Sequence, residues 1–287
     1  MAGEPYRFAN RPAVLRCRKC REDTGLRTGT VMARSREPLS VWFWAAYLVA
    51  SQTPGMSARQ FQRQLGISRY ETAFNILHKL RAAMVRPNRD RIGGNAGPNE
   101  YVEVDETYVG GRTRGRGRGV TDQVVVAGAV EVRWTKKSAK SNRQRYGGRV
   151  RLAVADRNGK TLCRFIQGAV EPGAVIITDG WEGYNDLPDL GYQHSPVDIK
   201  GQHQVADLYL KIIHLVFSNL KAWLNGTHHS VSPKHLQAYL NEFTFRFNRR
   251  FTPLNAFRSL LGIATEGVAA PTYDGLYSGN WRHPRCW

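Results

Sequence analysis

Cysteine is scarce in this chain: four residues in 287, at Cys17, Cys20, Cys163 and Cys286. So few thiols cannot build the disulfide framework of a small secreted domain, and reduced side chains are expected. Long apolar runs are missing too. The longest, LSVWFWAAYLVA at 39–50, is 12 residues, short of the roughly 20 that a bilayer-spanning helix needs. The opening stretch MAGEPYRFANRPAVLRCRKC is polar, without the apolar centre of a secretory signal. Acidic residues are also in deficit, with 23 Asp and Glu against 42 Lys and Arg, for a net charge of +19. These shortages argue against a disulfide scaffold and a membrane span, and lead us to expect a cytoplasmic protein with no membrane partner. A field so positive attracts polyanions, nucleic acid first among them, and on that reading the protein is nucleoid-associated.

What is present is unevenly spread. A chain of this length has room for two cores, and both parts are basic: residues 1–100 hold 17 bases against 7 acids, and residues 101–287 hold 25 against 16. Within the second part, residues 101–111 carry three acids and no base, whereas 112–164 carry 15 bases and 3 acids. Arg112, Arg114, Arg116 and Arg118 open that basic stretch. It is either a solvated surface loop or, as the excess over the whole chain favours, a phosphate contact.

Cys17 and Cys20 have the C-x-x-C spacing of a zinc knuckle but supply two of the four ligands that a structural zinc takes. Zn²⁺ binding, a leftover half-site and a small ordinary turn all remain open, and residues 1–38 read as a partial zinc-ribbon segment. From 39 to 86 the pattern is helical. SVWFWAAYLVAS reads as a buried helix. SARQFQRQL, with Ser57 as N-cap, is followed by Gly66 and then by ISRYETAFNILHKLRAAM, where Ser68 and Glu71 have capping-box spacing. Helix, short glycine turn, helix is a helix-turn-helix signature, and Arg69, Asn75 and Lys79 are the polar residues expected to face DNA. A plain helical hairpin is the alternative. A Gly-, Asn- and Pro-rich linker spans 87–100. Strand-like segments follow at 101–109, 123–134, 149–156 and 174–179, then helices at 206–226 and 233–250. Three strands, a fourth, then helices is the order of an RNase H-like α/β sheet with flanking helices, set over 101–262 and leaving 263–287 as a tail.

In YVEVDETYV a period of two puts Val102 and Val104 on one face and Glu103 and Asp105 on the other. Asp179 ends the apolar strand AVIITD. Carboxylates held side by side persist only when protonated or bridged by a cation, and hard oxygen donors favour Mg²⁺ or Mn²⁺. Two such ions could activate a nucleophile and stabilise the leaving oxygen of a phosphodiester.

The segments VEVDETYVGG, VIITDGWEGY and GTHHSVSPKHLQAYLNEFTFRFNRR, with the upstream C-x-x-C and helix-turn-helix, together resemble the bacterial insertion-sequence transposases with a DDE-type catalytic domain, the ISXO-two-like group. The resemblance runs from Leu15 to Leu261. It implies a transposase that binds double-stranded DNA at terminal inverted repeats and at a target, works as a homodimer or larger in the DNA complex, and uses two Mg²⁺ or Mn²⁺ ions. It makes Asp105 and Asp179 metal ligands. It also sets His214 at the third ligand position, where many relatives carry Glu, with Lys221 seven residues on. Glu242, Arg246 and Arg249 match a family Glu with Arg four and seven residues later, either a structural salt-bridge stripe with Glu242 paired to Arg246 or a DNA contact. The sequence departs from the family in lacking the earlier C-x-x-C that completes a zinc ribbon. A non-catalytic DNA-binding relative and an RNase H-like nuclease are the competing readings.

Overall fold

The computed structural model describes residues 4–86, 89–94, 100–110, 123–135, 144–197, 208–229, 231–267 and 271–278. At its start β1 (Tyr6–Arg7), β2 (Val14–Arg16) and β3 (Asp23–Gly25) form a small antiparallel sheet. Three helices follow: α1 (Leu39–Ser51), α2 (Ala58–Gln64) and α3 (Tyr70–Ala83). The Ser57 hydroxyl accepts from the Gln60 N–H and caps α2 as expected. Ser68 does not cap α3. That helix starts at Tyr70 behind an extended Arg69 with no side-chain cap. The turn before it is closed by Gln62, whose carbonyl accepts from the Ile67 N–H and whose side chain donates to the Ser68 carbonyl.

The main sheet has the order β6-β5-β4-β7-β8, built from β4 (Tyr101–Val109), β5 (Val124–Trp134), β6 (Arg145–Ala155), β7 (Val175–Thr178) and β8 (Gln193–Pro196). β4, β5 and β6 run antiparallel, whereas β4–β7 and β7–β8 are parallel. Helix α4 (Gly159–Ala169), capped by Asn158, covers one face through Leu162, Phe165 and Ile166. Helices α5 (Lys211–Trp223) and α6 (Pro233–Phe247) cover the other. α6 also closes the exposed edge of β6. Asn248 accepts from the Val150 N–H and donates to the Val150 carbonyl, and three turns earlier Gln237 accepts from the Val154 N–H, which satisfies edge groups that would otherwise pair with another chain.

The helical layer is not closed by residues 39–86 alone. Trp42, Phe61, Leu77 and Leu80 share one core with Phe245 of α6 and with Ala256, Leu260 and Ile263 of α7 (Pro253–Thr265). A short α8 (Tyr273–Ser278) comes last. No helix among the described residues is long and apolar enough to cross a membrane.

Candidate active site

Asp105 sits in the middle of β4, on the face turned toward α5, because alternation sends Val102 and Val104 to the α4 side. Its sheet partner across β5 is Gly128. A Cβ there would lie 2.7 Å from the Phe217 ring and 3.0 Å from Ile213. The bare backbone lets α5 approach the sheet at this point, which places His214 Nε2 3.2 Å from Asp105 Oδ2. Two residues earlier Glu103 is buried, and its Oε2 accepts the Ile213 N–H at 2.8 Å, while Oε1 has no partner. Glu103 therefore takes up an orphan donor of the α5 N-terminus, beside the turn that carries His214. Burial pushes its carboxyl up to about 7, against the opposing pull of the Ile213 and Ile212 N–H groups and of Arg145.

Asp179 follows the last residue of β7, the strand parallel to and neighbouring β4. Gly180 takes a left-handed φ of 76°, a conformation glycine adopts at low cost. The tight turn it makes lets Asp179 Oδ1 accept the Trp181 N–H at 3.1 Å. Burial, and after it the charge of Asp105, raise the Asp179 carboxyl above its ordinary range in spite of that hydrogen bond. Glu106 approaches from the α4 side. Its oxygens take the Tyr184 hydroxyl at 2.8 Å and Arg157 at 3.2 Å, and it too is raised, first by burial and then by Asp105 and Asp179. Three acids thus share one field at the junction of β4 and β7. Alternation groups Glu103 with Asp105 as a carboxylate beside the expected metal, but Glu103 accepts the Ile213 N–H instead; neither this contact nor that of Glu106 with Tyr184 is legible locally, since the partners lie 110 and 78 residues away.

The donor chemistry suits a hard divalent cation, since two carboxylates from adjacent strands offer oxygen donors and negative charge to one place. No three His, Cys, Asp or Glu side chains among the described residues stand close enough to hold one ion together. Lys221 is exposed, two turns along α5 from His214.

The residues expected to face DNA are dispersed. Arg69 is exposed and Asn75 half-buried at the start of α3. Lys79 is not available. It is 5% exposed, donates to the Ala33 carbonyl at 2.7 Å and lies over the Trp42 ring, because this half of α3 is packed all round. Arg112, Arg114, Arg116 and Arg118 lie outside the described residues. Glu242 is buried between Arg81, at 2.7 Å, and Arg246, at 3.4 Å. Arg246 also donates to the Gln52 carbonyl, so this stripe ties α6 to the helical layer and leaves Glu242 no oxygen for a metal. Arg249 stacks on Phe245. Cys17 and Cys20 stand in the turn between β2 and β3, where backbone N–H groups of Cys20 and Lys19 lower the Cys17 thiol below its usual range. Among the described residues this knuckle has no further Cys, His or acid near enough to complete a metal site.

The ISXO2-like transposase domain family matches residues 97–248, which span β4 through α6 and with them Asp105, Asp179 and His214. A protein of Halobacterium salinarum, an uncharacterized protein in transposable element ISH50, is 25% identical over 248 residues, covering 80% of this chain and 76% of its own. No solved structure matches significantly. With a family match over more than half of its length, carrying both aspartates of the β4–β7 junction, this chain belongs to the ISXO2-like transposases.

Proposed function

We propose that this transposase binds the ends of an insertion sequence, cleaves the DNA strands and joins the freed 3′ ends to a target, by divalent-metal chemistry centred on Asp105 and Asp179. The observation that carries this reading is the placement of the two aspartates at adjacent parallel strands, where burial and then the charge of Asp105 raise the Asp179 carboxyl. Asp105 and Asp179 would supply oxygen donors and His214 a nitrogen donor to Mg²⁺ or Mn²⁺. When bound, such ions lower the pKa of a water or hydroxyl nucleophile and stabilise the leaving oxygen. The protein's part is to hold the donors in place. Gly128 sets the height of α5, Glu103 anchors its first turn, and the Asx turn at Gly180 fixes Asp179. The basic residues supply the DNA contacts, among them Arg69 and Asn75 at the start of α3 and, by charge alone, Arg112, Arg114, Arg116 and Arg118.

Incubating labelled terminal-repeat DNA with target DNA tests this. The parent should give both nicked ends and joined products. Asp105→Asn and Asp179→Asn should bind the DNA and give neither. Cleavage at the parental rate by either variant refutes the site. Nicking without joining, by the parent, would move the assignment to an RNase H-like nuclease.

A further inference from the structure

Away from the aspartates, where the ends of α3 and α6 meet the β6 edge, lies a cavity of about 270 Å³ with an unusual wall. Arg86 and Arg89 come from the segment after α3, Arg149 and Arg151 from β6, and Arg249 from the turn after α6; Asp90 is the one acid among them. Both nearby carboxylates are already engaged by Arg149, Glu131 at 2.8 Å and Asp90 through its Oδ2. Arg151 is 5% exposed and meets no carboxylate closer than 3.9 Å. Its Nη2 donates to the Asp90 carbonyl, and its Nε has no partner. Among the described residues, five guanidiniums and two acids thus meet in a partly enclosed space. Two of the five, Arg151 and Arg249, hold their protons less tightly than usual. Burial, and then the charge of Arg149, bring Arg151 down to about 10, and burial followed by the charge of Arg86 lowers Arg249. Guanidiniums held this close attract an anion, and their planar forks match phosphate oxygens.

We propose that this pocket is a phosphate site that seats one phosphodiester of bound DNA, distinct from the phosphodiester at the reacting aspartates. The choice of DNA as the source rests on the transposase reading above; the choice of phosphate rests on the pocket. The space is too small for a duplex and takes one backbone phosphate with part of its sugar. Because its walls come from α3, β6 and α6, a phosphate bound there bridges the helical layer and the sheet edge.

The test uses the full chain in EDTA, so that it is independent of metal and cleavage. Binding of labelled duplex is measured by anisotropy across a range of salt for the parent, for Arg86→Gln with Arg249→Gln, and for Arg86→Lys with Arg249→Lys, each checked for a native melting transition. The Gln pair should bind more weakly at every sequence tried and flatten the log–log salt slope by ~1, the expectation for one lost phosphate contact. The Lys pair, which keeps the charge, should restore the slope. A slope unchanged in the Gln pair overturns the proposal. A second arm compares melting in inorganic phosphate and in chloride at equal ionic strength. Stabilisation of the parent and not of the Gln pair supports a phosphate pocket. If it comes with an unchanged DNA slope, the pocket serves a free phosphate and DNA as its source is refuted. No selective effect in either arm refutes the site itself.

Discussion

Glu103 shows how a single buried carboxyl can tie the site to pH. An acid whose folded pKa lies near 7, against an ordinary 4.5 in the unfolded chain, favours folding when protonated. Its contribution is fully present below about pH 4.5 and is lost as pH rises through about 7, a swing on the order of 3 kcal/mol at 1.36 kcal/mol per unit. Glu103→Gln, which can still accept the Ile213 N–H, should remove that dependence. Denaturant unfolding of the metal-free protein at pH 5 and pH 8.5 should show the parent losing stability between the two and the variant nearly level. Equal slopes in the two proteins would mean that Glu103 is ionised throughout. Alternation along β4 already told which face Glu103 shares with Asp105. What it could not tell was that the next group above that face would be a helix N-terminus 110 residues on, because nothing local in YVEVDETYV encodes the arrival of α5.

At the scale of elements, β4 matches its sequence-derived range of 101–109 residue for residue, and β5 and β7 start one residue late. β6 begins at Arg145, four residues before the expected start, since a run broken by Gly147 and Gly148 does not read as strand. The helix expected at 206–226 is α5 over Lys211–Trp223, continued by a π turn at Leu224–His228. β8 and α4 were not expected: QHSP has no apolar run, and the regular face of α4 shows only once its sheet is known. Gly128 is the clearest missed signal, a glycine inside the apolar run VVVAGAVEV, where a bulge, a bend or the close approach of a neighbouring element is to be expected. Gly128→Ala should therefore cost about 1–3 kcal/mol by overpacking against Phe217 and should lower strand cleavage by pushing His214 away from Asp105. Adding Phe217→Ala makes room for the new methyl and should recover cleavage, though not the lost packing. A cleavage defect that persists in the double variant would show that α5 does not set the site through this contact.

The whole molecule is stitched from parts that lie far apart in sequence, and here sequence order was a poor guide. Residues 39–86 read as a free-standing DNA-binding unit because helix, turn and helix are local signals. Hydrophobic periodicity marks a buried face without naming what buries it, so the return of α6 and α7 to that layer was not legible. The bond between the layers is specific. Arg81 of α3 and Glu242 of α6 are each 1% exposed, and Arg81 lies 3.9 Å from the centre of the Tyr239 ring. Burial alone would raise Glu242, yet Arg81 and then Arg246 hold it below the ordinary carboxylate range, so it is ionised and paired. Removing one partner strands a buried charge, and Glu242→Ala should destabilise the chain by about 3–5 kcal/mol, read from its denaturation midpoint. The same architecture yields a sharper expectation for fragments. A piece ending at Arg86 exposes the faces of Trp42, Leu77 and Leu80 that Phe245, Ala256, Leu260 and Ile263 cover in the full chain, and it leaves Arg81 without Glu242. Fragment 1–86 should accordingly lack a cooperative melting transition and bind DNA weakly and without sequence preference. Fragment 231–267, added in trans, should restore the transition, and Glu242→Ala in that added piece should weaken the rescue. A fragment 1–86 that melts cooperatively by itself would show that the N-terminal helices close their own core.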